Sequence, residues 1–182
     1  MAQITEDLVW NSTISSDGAT SWNHTLTSNN VQGTLTFGSG KFILFDLTKL
    51  SYPTHNIASV QVKSESQTAT AGATAVILLE MLNSSNTQLN SEYMAMSQDY
   101  DQIQTEAVRT TSDGSTAWTQ NAINTLRIKL TYITQTSGGA GPASTGYMDH
   151  FYVRVIYTPT AGLIKLNSGA VKLTNGKINI TA

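Results

Sequence analysis

Two stretches in the C-terminal third alternate apolar and polar residues so regularly that they fix the class of fold. Phe151, Val153, Val155 and Tyr157 fall on one face at period two, with His150, Tyr152, Arg154 and Ile156 on the other. Leu126, Ile128, Leu130 and Tyr132 alternate in the same way with Arg127, Lys129, Thr131 and Ile133. In runs rich in β-branched and aromatic residues, that period describes strands with one buried face. Pro159 closes the second run, because proline has no N–H to give a ladder. Between the two, Ser137-Gly138-Gly139-Ala140-Gly141-Pro142 reads as a surface loop. The spacing predicts a hairpin with a long tip. Just upstream, Asp113-Gly114 marks a turn that delivers Trp118 to the edge of the core.

The rest of the chain supplies strands of the same kind. Short β patterns occupy 8–10, 21–27, 31–37, 41–47, 57–63, 93–96 and 103–108. The run 74–82 is nearly all apolar, which fits a short helix as well as a strand. Its flanks, Gly72 on one side and Asn83-Ser84-Ser85-Asn86 on the other, favour a central strand. Only 120–124 reads as a helical turn. Short strands with turn signals every 8–12 residues predict an all-β chain, an antiparallel β-sandwich of jelly-roll type. We assign residues 1–160 to the sandwich, with 1–40 packed on it or extending it.

Composition narrows the function classes. Asp, Glu, Lys and Arg make up 12% of the 182 residues, about half the usual share. A net charge of −2 gives no electrostatic case for nucleic acid or an anionic membrane. Solubility must rest on Ser, Thr, Asn and Gln. Without cysteine there is neither a disulfide framework nor a thiolate metal site. No apolar run approaches the roughly 18 residues of a membrane span. The opening Met1-Ala2-Gln3-Ile4-Thr5-Glu6-Asp7 lacks the basic and apolar regions of a signal peptide. A polar, charge-poor surface made without export machinery suits a virion protein.

The tail, 161–182, has its own period. Ile164-Lys165-Leu166, Val171-Lys172-Leu173 and Ile178-Asn179-Ile180 recur every seven residues, the first two units followed by Asn-Ser-Gly and Thr-Asn-Gly. This predicts a short β-meander with tight turns. Alternation puts Ile164, Leu166, Val171, Leu173, Ile178 and Ile180 on one face. Three such strands cannot bury a core alone, so these six are the candidate subunit interface.

Chemistry is harder to find. His24, His55 and His150 are scattered, and neighbouring Asp149 and His150 would point to opposite faces of a strand. No nucleophile-elbow or phosphate-loop pattern exists. We therefore expect no catalytic residues and no cofactor. Asp99 and Asp101 are a weak candidate pair for calcium; otherwise no metal site is expected. Trp10, Trp22, Tyr52, Tyr93, Tyr100 and Tyr147 are candidate sugar-stacking platforms wherever they are exposed.

The features along 42–158 also resemble a known family. Phe45-Asp46-Leu47, Ile57-Ala58-Ser59-Val60-Gln61-Val62, Ala117-Trp118-Thr119, Ile123-Asn124-Thr125-Leu126 and the closing Tyr147-Met148-Asp149-His150-Phe151-Tyr152-Val153-Arg154-Val155 are similar to galactose-binding-like jelly-roll domains of phage virion structural proteins. The resemblance covers about two thirds of the chain. It implies a head-decoration, head-fibre or tail-associated subunit, usually a homo-oligomer contacting other virion proteins. Some such domains bind glycans, so a host surface glycan is the alternative partner, in an adhesion module.

Overall fold

A computed structural model describes residues 3–17, 40–52, 54–68, 75–95, 104–134, 146–159, 171–174 and 177–180. Eight strands build the body: β1 (Ile4–Ser16), β2 (Phe42–Leu47), β3 (Thr54–Thr68), β4 (Ala75–Leu82), β5 (Gln88–Ala95), β6 (Gln104–Thr105), β7 (Arg127–Thr134) and β8 (Gly146–Pro159). One short helix, α1 (Gln120–Asn124), precedes β7, and a separate two-stranded ribbon pairs β9 (Val171–Thr174) with β10 (Lys177–Ile180).

The pairing defines the architecture. Strand β1 pairs antiparallel with β8, β2 with β7, β3 with β6 and β4 with β5. Those are the pairs left when one long antiparallel ribbon is rolled up. Rolling adds β8 beside β3, β7 beside β4 and β1 beside β2. The result is a sheet ordered β1-β8-β3-β6 facing one ordered β2-β7-β4-β5, the double Greek key of an eight-stranded jelly roll. One strand belongs to both sheets. Residues Ile4 to Val9 of β1 pair with β8, and Trp10 to Ser16 pair with β2.

The expected hairpin between the last two long strands does not form. β7 pairs with β2 and β4, whereas β8 pairs with β1 and β3. Each strand has neighbours on both edges, and the two stand in different sheets. The strand expected over 103–108 is confined to Gln104–Thr105, with 106–108 outside any strand, whereas the other expected body elements hold where residues are described. The run 75–82 is a strand, 120–124 is the helix, and the long alternating strands keep their predicted faces. The predicted strands at 21–27 and 31–37 lie outside the described residues.

Period-two patterning explains the core. β8 turns Phe151, Val153, Val155 and Tyr157 inward, while β7 turns Ile128, Leu130 and Tyr132 inward; all are buried. Ile77, Leu79 and Met81 of β4 sit directly opposite Tyr132, Leu130 and Ile128. Each such side chain contributes about 1.5–3 kcal/mol on full burial. Phe45 joins the layers. Its ring stacks on Trp10 at 4.2 Å and meets Phe151 of the opposite sheet edge-on at 5.4 Å, a geometry that suits aromatic quadrupoles.

Ends of the body are closed by local chemistry. Thr119 caps α1 by accepting the Ala122 N–H at 3.1 Å, which seats Ile123 and Leu126 in the core. Before it, Asp113 accepts four hydrogen bonds, from the N–H and hydroxyl groups of Ser115 and Thr116. Gly114 takes the φ of +89° that this turn requires. These bonds, led by that from the Thr116 N–H, hold the Asp113 carboxyl well below the usual carboxylate range.

Trp118, 4% exposed, fills the space this turn leads into, yet its indole N–H meets no acceptor among the described residues. Trp118→Ala is therefore expected to lose about 3–5 kcal/mol. Trp118→Phe should cost about 1 kcal/mol or less, since it removes an unsatisfied donor together with some apolar surface. Chemical denaturation of both variants checks the pair. For Asp113 the carboxyl is depressed on folding, so its stabilisation is present above the unfolded value of 3.8 and fades as pH falls. The melting-temperature gap between wild type and Asp113→Ala should be widest near neutrality and narrow below about pH 4; melts across that range measure it.

Candidate functional site

The register of β1 against β2 slips between Trp10 and Ser12, leaving Asn11 unpaired and exposed on a bulge. Bulges re-aim side chains and recur beside functional sites. Here the bulge borders a cleft of about 280 Å³. Asp46 and Lys49 contribute from the end of β2 and the turn after it, Ser84 from the β4–β5 turn, and Asn124, Thr125 and Arg127 from the α1–β7 junction. Four separate segments of the chain converge there.

Local hydrogen bonds hold each group in place. Arg127 Nη1 donates to the Ser84 carbonyl at 2.7 Å and to Asn86 Oδ1 at 2.8 Å, while its Nε lies 3.5 Å from an Asp46 oxygen. The turn that receives it is built by Asn83, whose Oδ1 accepts the N–H groups of Ser85 and Thr87. That leaves Asn86 at a φ of +61°, a conformation Asn tolerates well. Asn124 Oδ1 accepts the Leu50 N–H at 3.0 Å, which points its NH₂ group elsewhere. The Thr125 hydroxyl donates to the Asn121 carbonyl at 2.8 Å, leaving its lone pairs as acceptors. Lys49 is exposed and has no partner among the described residues. Two cations and one carboxylate give the cleft a local charge of +1 on a chain of net charge −2.

Most other charges serve as struts. Arg154 forks onto Asp7 with two bonds of 2.8 Å and lies over the Tyr152 ring. Lys129 meets Glu80 at 2.7 Å and covers Phe42. Glu6 accepts from the Tyr157 hydroxyl at 2.7 Å and from Ser51. Burial, then the bond to Glu6, pushes the Tyr157 phenol above its ordinary range. Arg109 bridges to Glu92 of β5 at 2.8 Å. Nearby Glu106 is shifted upward by burial and by the Glu92 charge, against the pull of Arg109. Among the described residues, no three His, Asp or Glu side chains gather as a metal-holding group.

The residues expected to bind ligands fare unevenly. Trp10 is corrected: at 7% exposure and stacked on Phe45, it is core and offers no platform to a sugar. Tyr52 is half-buried and packs against the core. Tyr93 stands out on β5 at 66% exposure. Trp22, Tyr100, Asp99 and Asp101 lie outside the described residues, as does the side chain of Tyr147. In the tail, Ile164 and Leu166 are likewise outside them, whereas Val171, Leu173, Ile178 and Ile180 fall in the β9–β10 ribbon. None of the cleft's polar residues was singled out from the sequence. Asp46, an acid within an apolar strand, was the available signal, and register sets it opposite Arg127.

The strand order makes this chain a jelly-roll β-sandwich protein. No family model matches the chain, and neither does any curated protein sequence. Among solved structures, a xylan-binding module, CBM15, is similar over 88% of this chain and all of its own, with 14% identity and a TM-score of 0.42. A structure of infectious bursal disease virus, Gt strain, is similar over 86% of this chain and 33% of its own length, with 11% identity and a TM-score of 0.34. With values this low, neither likeness assigns a role to the chain.

Arg127→Ala is expected to remove the strut between β7 and the β4–β5 turn. The loss should be about 1 kcal/mol, as for hydrogen bonds to a partly exposed charged group. Amide hydrogen exchange at Ser85 and Thr87 should accelerate more than at the β8 core, which a site-resolved exchange measurement reads directly.

Proposed function

We propose that this chain is a non-enzymatic structural subunit of a bacteriophage-like virion, acting as a decoration, head-fibre or tail-associated protein through subunit contacts. The observation that carries the reading is the C-terminal ribbon. Its register pairs Val171 with Ile180 and Leu173 with Ile178, so four apolar positions share one face, and Lys172 pairs with Asn179 on the other. Two strands of four residues are marginal in water without a surface to pack on. An apolar face left open on a chain with so little charge would promote aggregation. A neighbouring subunit, another copy or a different virion protein, supplies the cover.

A second reading, a glycan-binding adhesion module, is favoured by the polar cleft beside the β1 bulge and by exposed Tyr93. Specific binding on a glycan array separates it from the first.

For the subunit reading, a chain ending at Thr160 keeps all eight body strands and should fold, yet lose self-association or particle attachment. The pair Leu173→Lys and Ile178→Lys should do the same without shortening the chain. Sedimentation velocity alongside a particle-binding assay measures both. If the truncated and full-length chains run as the same oligomer and decorate particles equally, the ribbon is a local cover and the reading fails.

A further inference from the structure

We propose that the cleft beside the β1 bulge binds a sugar residue bearing a carboxylate, a hexuronate in its simplest form. The inference gives the glycan-binding reading its ligand class and is independent of the tail.

Cationic side chains outnumber carboxylates two to one among the described residues of the lining. A guanidinium carries five N–H donors in a planar fork. Those of Arg127 Nη1 are engaged by Ser84 and Asn86 and that of Nε faces Asp46, so the Nη2 pair is left without a partner among the described residues. Lys49 adds three donors on an ammonium without a partner among the described residues. Asn124 is oriented by the Leu50 N–H so that its NH₂ group faces elsewhere, with no partner among the described residues. Two cations and an amide donor around one opening are what a carboxylate requires, since charge-assisted bonds from a fork and a point charge exceed neutral ones.

Acceptors are present too. Asp46 keeps carboxylate lone pairs beyond its long approach to Arg127, and Thr125 keeps those of its hydroxyl. They suit ring hydroxyls and disfavour a bare inorganic anion, which would bring no hydrogen to them. Among the described residues that line it there is no aromatic ring and one aliphatic side chain, Leu47. A neutral pyranose would lack the stacking face on which such ligands depend. The volume, about 280 Å³, lies at the small end of small-molecule sites and suits about one ring.

Preorganisation strengthens the case. Arg127 and Asn124 are both fixed by backbone groups from other segments, so binding need not freeze them. Lys49 alone is free to close over the ligand.

The test titrates the full chain with sodium glucuronate, trigalacturonate, glucose and acetate while recording backbone and side-chain amide NMR shifts. Glucuronate and trigalacturonate should saturate at a Kd on the order of 1 mM or tighter, moving the amides of Asn11, Lys49 and Asn124. Glucose should move none of them, and acetate should bind at least about fivefold more weakly than glucuronate, having no hydroxyls for Asp46 and Thr125. Raising salt from about 0.05 to 0.5 M should weaken uronate binding. Lys49→Gln, at an exposed position that no fold contact uses, should weaken it by about fivefold; Arg127→Lys should do so while keeping the charge. Equal binding of glucose would overturn the acidic class and leave a glycan site. Equal binding of acetate would reduce the cleft to a simple anion site. Saturation without shifts at these amides, or no saturation at all, would overturn the site itself.

Discussion

A strand shared between two sheets must turn, and in this protein β1 turns beside Phe45. The first half of β1 pairs with β8, the second with β2, and the register slips where they meet. Trp10 sits at that junction with its ring on Phe45, and Phe45 reaches Phe151 across the core. The three rings tie β1, β2 and β8 together where the ribbon rolls over. That contact adds a side-chain tie to the backbone tie β1 already makes between the sheets. The bulge leaves Asn11 outside, so the device that closes the sandwich also opens the cleft.

Scarcity of charge gives the remaining ionic groups defined jobs. Asp7 with Arg154 and Glu80 with Lys129 are cross-strand pairs on outer faces, directly opposite in register. Such pairs add a few tenths of a kcal/mol and mainly fix which strands lie side by side. The Asp46–Arg127 approach differs, because Arg127 spends its strongest bonds on the β4–β5 turn. It thus organises three elements and still keeps donors to spare. In a chain otherwise solubilised by hydroxyls and amides, two cations line this one cleft.

The two candidate surfaces have different physics. The ribbon offers apolar positions and backbone, suited to burial against another folded surface. The cleft offers directional donors in a small volume, suited to one polar ring. A virion subunit that also touches an acidic sugar would use both, since they are built from separate stretches of the chain.

Alternation alone determined much of this protein. Phe151 to Tyr157 and Ile128 to Tyr132 carry their buried faces in their period, whichever neighbour they find. The Asp113-Gly114 turn and the capped helix at 120–124 are also local, set by side chains bonding to nearby backbone and, at Gly114, by a residue tolerant of positive φ. Pairing was not local. Nothing in the sequence distance between β7 and β8 says that they part to opposite sheets, because a period-two face fits any partner sheet with apolar complement. Trp10 looked as available as any surface aromatic until Phe45, 35 positions away, covered it. The cleft was equally hidden: Asn11, Asp46, Asn124 and Arg127 are ordinary polar residues in the sequence, and only the rolled ribbon brings them to one opening. Faces follow from the dihedral period of a strand, a property of each stretch, whereas partners follow from packing, a property of the whole chain.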